Sequence, residues 1–218
     1  MNRGHSALLV TALAAGAVTV WARFEEAQAL TWVAKPLATV AILAMALGAA
    51  PRPSARYRGL IGAGLLCSLA GDVFLMLPGD LFLPGLVAFL GAHLCYLTAF
   101  RQEGGGSGPV GLLLLVVLFG AGILWRLWPF LGGLRIPVLV YVAVILTMSW
   151  MALGRWWATR AEGSALAAAG AVLFVASDAV LALDRFRGPI ALAPLLVLGA
   201  YYPAQILIAS SVGSTRRG

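Results

Sequence analysis

Eight long apolar runs constrain this chain more than anything else in its sequence. They cover residues 6–22, 28–49, 57–77, 81–100, 109–128, 134–153, 164–183 and 189–211. Each is roughly 17–24 residues long, enough for a helix to cross a hydrocarbon layer about 30 Å thick. In such a layer the backbone must satisfy its own N–H and C=O groups, which a helix does within one segment. The short connections carry helix breakers: Pro51-Arg52-Pro53, Pro78-Gly79, the Gly-rich stretch 104–109, Gly132-Gly133 and Gly188-Pro189. Only 11% of the residues are charged and 61% are hydrophobic, whereas soluble domains average about 25% charged. The expectation is an all-α membrane protein with eight transmembrane helices, forming one polytopic domain over residues 1–218. Arg3 ahead of an Ala-rich run also fits a cleaved signal peptide. A retained first helix keeps the helix count even.

The formal net charge of +7 does not point to nucleic acid, because the arginines fall at the ends of the apolar runs. Positive charge there sets membrane orientation. Nine arginines (Arg3, Arg52, Arg56, Arg58, Arg101, Arg155, Arg160, Arg216 and Arg217) lie on the side holding both termini. Five (Arg23, Arg126, Arg135, Arg185 and Arg187) lie on the other. Both termini are therefore expected to be cytoplasmic, in a multi-pass protein of the cell (inner) membrane. On this topology three charges sit inside the outer half of the bilayer: Asp72 in the third run, Asp178 in the seventh, and Lys35, the only lysine, in the second. A charge at membrane depth costs roughly 2.5–3.5 kcal/mol on insertion scales and usually marks a pairing or a function.

The two aspartates also anchor a faint internal repeat. Leu69-Ala-Gly-Asp-Val-Phe-Leu-Met-Leu77 matches Val175-Ala-Ser-Asp-Ala-Val-Leu-Ala-Leu183 at an offset of 106. Gly91-Ala-His93 matches Gly199-Ala-Tyr201 at 108, and Pro36 matches Pro137 at 101. Such offsets suggest two parallel four-helix halves with a site at their interface; chance similarity between Ala- and Leu-rich helices is the alternative.

Other residues read less sharply. Gly64, Ser68 and Gly71 form a small-residue stripe beside Asp72, suited to close helix packing or to a cavity wall. Pro36 kinks the helix next to Lys35, which either opens a pocket there or leaves the lysine to snorkel outward. His93 and Tyr96 share a face with Phe89 and Phe100, and line either a core or a site. Tyr202 and Gln205 could hydrogen-bond a polar headgroup. Asp184 could belong to the site or pair with Arg185 at the membrane boundary. Cys67 and Cys95 read as small packing residues, with a disulfide as the alternative. Histidines occur only at positions 5 and 93, so no metal site is expected, nor a cofactor. Trp125, Trp128, Trp150, Trp156 and Trp157 read as interfacial anchors. The Gly-rich linker lacks the following Gly-Lys-Ser/Thr of a phosphate loop.

Taken together, Lys35-Pro-Leu37, Gly71-Asp-Val-Phe-Leu-Met76, Gly91-Ala-His-Leu-Cys-Tyr96, Phe174-Val-Ala-Ser-Asp178 with Asp184-Arg-Phe186, and Tyr201-Tyr-Pro-Ala-Gln205 resemble the lysoplasmalogenase (YhhN-like) family of integral membrane proteins. The blocks span runs two to eight. The resemblance implies hydrolysis of the vinyl ether bond of a lysophospholipid drawn from the bilayer, releasing a fatty aldehyde and a glycerophospho-ethanolamine or -choline. That chemistry needs a general acid protonated near neutral pH and an ionised partner, roles that paired carboxylates fill in inverting glycosidases. Asp72 and Asp178 are the expected pair, with the division of roles open. Lys35, His93, Tyr96, Asp184, Tyr202 and Gln205 are the expected substrate-binding set, Lys35 toward the phosphate. The rival from another class is a small proton-coupled transporter, which intramembrane Asp and Lys at a repeat interface would also suit. A metal-dependent lipid amidase would need a His-rich ligand set that this chain lacks.

Overall fold

A computed structural model describes residues 3–51, 53–102 and 108–213. Arg52, Arg216, Arg217 and most of the Gly-rich linker lie outside the described residues. Eight α-helices follow in order: α1 Arg3–Phe24, α2 Gln28–Gly48, α3 Ala55–Met76, α4 Phe82–Gln102, α5 Val110–Leu127, α6 Arg135–Thr159, α7 Glu162–Arg187 and α8 Ala193–Ser210. All eight are long and apolar enough to cross a membrane, and the described residues form no strand. The chain is a multi-pass membrane protein, as the apolar runs predict.

Local chemistry ends the helices where the breakers stand. Ser54 caps α3 by accepting a hydrogen bond from the Tyr57 amide at 3.0 Å. Between α5 and α6 the chain turns through two short 3₁₀ segments, Trp128–Phe130 and Gly132–Leu134. Arg160 terminates α6 in the left-handed region, φ +50°, and its guanidinium stacks over Trp156 and Trp157. Trp125 and Trp157 are exposed, as interfacial anchors should be. Trp150 instead packs beside Gly108 at the start of α5. Both cysteines are free.

The helix contacts repeat. In the first half α2 packs on α3 and α3 on α4; in the second, α6 packs on α7 and α7 on α8. Across the halves α4 packs on α6, and α8 on α2. The small-residue stripe of α3 lies in its contact with α4. A Cβ added at Gly64 would stand 2.2 Å from the Tyr96 ring, and one at Gly71 2.6 Å from that of Phe89. The stripe is thus a close-packing surface, which brings Asp72 in against the body of the bundle. The outlier is α5, in which only Gly120 and Leu127 are buried and which rests on α6 and α7.

Candidate active site

Asp72 lies four residues before the end of α3 and is 1% exposed. Both carboxylate oxygens are engaged. Lys35 Nζ is 3.2 Å from Oδ1, while Thr39 Oγ1 and Tyr201 Oη donate to Oδ2 at 2.8 and 2.7 Å. Lys35 and Thr39 are one helical turn apart on the same face of α2, so they reach the carboxylate together. Tyr201 comes from α8 and is itself held: Gln205 Nε2 donates to its hydroxyl at 3.2 Å, and Tyr96 Oη donates to Gln205 Oε1 at 2.8 Å. An ionised carboxylate only accepts hydrogen bonds. A cation and two hydroxyls therefore offset much of the cost of burying this one.

Asp178, on α7, has the corresponding place in the second half and a different set of partners. Its Oδ2 accepts a short hydrogen bond from Tyr141 Oη of α6. His93 Nε2, from α4, lies 3.5 Å from the same oxygen and 2.8 Å from Tyr141 Oη. His93 is fully buried, edge-on to Phe174 with centroids 4.7 Å apart. Asp178 Oδ1 has no protein partner among the described residues. The Asp178 side chain is 15% exposed, against 2% for Asp72.

Two spaces meet at Asp178. A polar cavity of about 180 Å³ is lined by Arg23, Lys35, Asp72, Asp178, Asp184 and Tyr201, among others. Toward the membrane boundary it continues into a rim formed by Ala22, Arg23, Glu26, Gln28 and Thr31. An apolar groove runs between α4, α5, α6 and α7 past Phe89, Phe119, Gly120, Leu127 and Val138. Leu75, Phe89, Asp178 and Leu181 belong to both spaces. Asp178 is the one titratable residue at that seam.

Of the residues singled out from sequence, Lys35, Asp72, Asp178 and Asp184 line the polar cavity. Lys35 neither snorkels nor stands free, since its ammonium is paired with Asp72. Asp184 is not paired with Arg185; it accepts from the Ile190 amide at 2.7 Å, while Arg185 reaches Asp80 across the exposed α3–α4 turn at 2.7 Å. His93, Tyr96 and Gln205 stand behind the cavity wall and hold the residues that form it. Tyr202 turns toward α1, where its ring packs on Gly16. Four contributors escaped the sequence reading. Thr39 stands one turn from Lys35. Tyr141 is 106 positions after Lys35, the spacing that separates the aspartates. Tyr201 entered only as the counterpart of His93 and as part of the block 201–205, without a role, and Arg23 only as a topology charge. Among the described residues no three His, Cys, Asp or Glu side chains are arranged to hold a metal ion.

Helices and cavity together define a multi-pass membrane protein with two carboxylates, Asp72 buried and Asp178 half-buried, at the interface of two similar halves. The YhhN family model matches residues 30–212, and the chain belongs to that family. Among curated proteins it is 38% identical over 165 residues to Lysoplasmalogenase TMEM86B of Homo sapiens, covering 73% of this chain and 66% of the human protein. It is 36% identical over 180 residues to Lysoplasmalogenase of Mycobacterium bovis, covering 78% and 66% of the two chains. It is 30% identical over 182 residues to the uncharacterised membrane protein YhhN of Escherichia coli, covering 83% and 86%. The chain thus spans just under two thirds of the length of those lysoplasmalogenases. No solved structure matches it.

Proposed function

We propose that this protein hydrolyses the vinyl ether bond of lysoplasmalogens, with Asp72 and Asp178 as its catalytic pair, one carboxyl protonated and the other ionised. The observation that carries the reading is the position of Asp178 where a polar cavity meets an apolar groove. A lysoplasmalogen has the same division. Its phosphate-bearing glycerol is polar, its tail is a single hydrocarbon chain, and the bond to be cleaved joins the two. The names of the human and mycobacterial relatives support the same substrate class.

The chemistry needs only carboxyl groups and water. A protonated carboxyl delivers its proton to the β-carbon of the C=C bond, and an ether-oxygen lone pair makes the α-carbon an oxocarbenium centre. Water adds at the α-carbon and gives up a proton to a carboxylate. The resulting hemiacetal loses its hydroxyl proton as the bond to the glycerol oxygen breaks and that oxygen is protonated. The sum is one water consumed, one fatty aldehyde and one glycerophospho-alcohol formed. A buried anion beside the α-carbon lowers the energy of the cationic intermediate in a low-dielectric site. Lys35 is committed to Asp72, so Arg23, exposed at the rim of the cavity, is the better-placed cation for the substrate phosphate. With both termini cytoplasmic, that rim faces the outer leaflet of the cell membrane.

The test is aldehyde release by the detergent-solubilised protein from an alkenyl lysophospholipid, with the acyl analogue as control. Wild type should release aldehyde from the alkenyl lipid, and Asp72→Asn and Asp178→Asn should each lose about 100-fold or more in kcat. Full activity in both variants would end the two-carboxylate reading. Substrate flux in sealed liposomes without aldehyde would favour a transporter instead.

A further inference from the structure

The two aspartates differ oxygen by oxygen, and the difference assigns their roles. On Asp72, Oδ1 faces the Lys35 ammonium and Oδ2 takes hydroxyl hydrogens from Thr39 and Tyr201. A proton on either oxygen would displace one of these donors. On Asp178, Oδ2 alone is engaged, and Oδ1 is left for the space where cavity and groove meet. We propose that Tyr141, backed by His93, makes Asp178 the proton donor: with the Tyr141 hydroxyl fixed on Oδ2, the acidic proton resides on Oδ1 and points at the enol ether. This assignment rests on the vinyl ether reading above. Asp72 is the permanent anion of the pair.

His93 acts through Tyr141 and is a positioning residue. Its Nε2–H donates to Tyr141 Oη at 2.8 Å, so the phenol oxygen accepts from histidine and its own hydrogen is committed to Asp178. In that tautomer Nδ1 carries a lone pair, and Nδ1 is indeed buried without a partner. The cycle closes on one carboxyl. Oδ1–H gives its proton to the β-carbon, the carboxylate so formed accepts a proton from the water that attacks the α-carbon, and Oδ1–H is restored. Tyr141 and His93 neither gain nor lose a proton. Their hydrogen bonds keep the acidic hydrogen in register with the substrate through both steps.

The experiment compares Tyr141→Phe, His93→Gln and His93→Leu with wild type in the aldehyde-release assay. Tyr141→Phe keeps the ring on the groove wall and removes the hydroxyl; kcat should fall about 100-fold with KM within about 2-fold. Gln can present a side-chain N–H near the Nε2 position, so His93→Gln should keep kcat within about 3-fold of wild type. His93→Leu should fall with Tyr141→Phe. Unchanged kcat in Tyr141→Phe, a change confined to KM, or equal losses in His93→Gln and His93→Leu would each overturn the proposal. The histidine pair decides the matter if Tyr141→Phe does not fold. Should wild type release no aldehyde, the vinyl ether reading itself fails; an active wild type with indifferent variants removes only the roles given to Tyr141 and His93.

Discussion

The environments of Asp72 and Asp178 use the same three helix positions and reach opposite results. Asp72 on α3 is gripped from α2 and α8, and Asp178 on α7 from α6 and α4. In each case one tyrosine and one basic residue do the gripping, but they exchange places. Lysine comes from α2 and tyrosine from α8 in the first half; tyrosine comes from α6 and histidine from α4 in the second. A full cation and two hydroxyl donors close the first carboxylate off. The second keeps one oxygen open. The helix contacts supply two matching frames, and on the proposed reading side-chain choice makes one a fixed charge and the other a working acid.

The sharpest way to break that contrast is to remove the cation from the closed site. Lys35→Met leaves a buried carboxylate without its counter-ion, which should cost about 3–5 kcal/mol in a thermal or denaturant unfolding measurement in detergent. Lys35→Met combined with Asp72→Asn should recover most of that loss. His93→Leu should cost clearly less, because Asp178 is partly solvated by the cavity; equal losses at the two sites would dissolve the distinction. A milder change tests the two spaces that meet at Asp178. Gly120→Leu places a side chain where even a Cβ would stand 2.2 Å from Leu146 Cδ1. It should raise KM for a long-chain substrate about 10-fold and spare a short-chain one, whereas a uniform loss of kcat would detach the groove from tail binding. Smallest of all, Arg185→Gln breaks an ion pair whose side chains are 44% and 72% exposed. It should shift stability by about 1 kcal/mol or less and leave turnover unchanged.

Much of this arrangement was legible in the residues. Lys35, Asp72 and Asp178 stand out because charge is costly in an apolar run, and Asp184 because it borders one. The helix boundaries came close for a related reason: lipid leaves the backbone few alternatives. Tyr141 was not legible in the same way. A tyrosine in a Val- and Ile-rich helix costs little, so nothing local distinguishes it from a packing residue. The repeat could have revealed it, but Pro36 and Pro137 set the register of α2 against α6 at 101, five residues short of the 106 that relates Lys35 to Tyr141. Gln205, Tyr96 and His93 stood out as polar groups on apolar faces. That they hold other polar groups rather than line the cavity depends on helix rotation, which a weakly amphipathic bundle does not write into its sequence.

The loose seating of α5 has a consequence for kinetics. On the proposed reading the hydrocarbon chain reaches Asp178 between α5 and α7, past the 47% exposed ring of Phe119. The enzyme then samples its substrate in two dimensions. Encounter frequency follows the mole fraction of lysolipid in the surrounding leaflet, and diluting that leaflet with inert phospholipid slows turnover at constant bulk concentration.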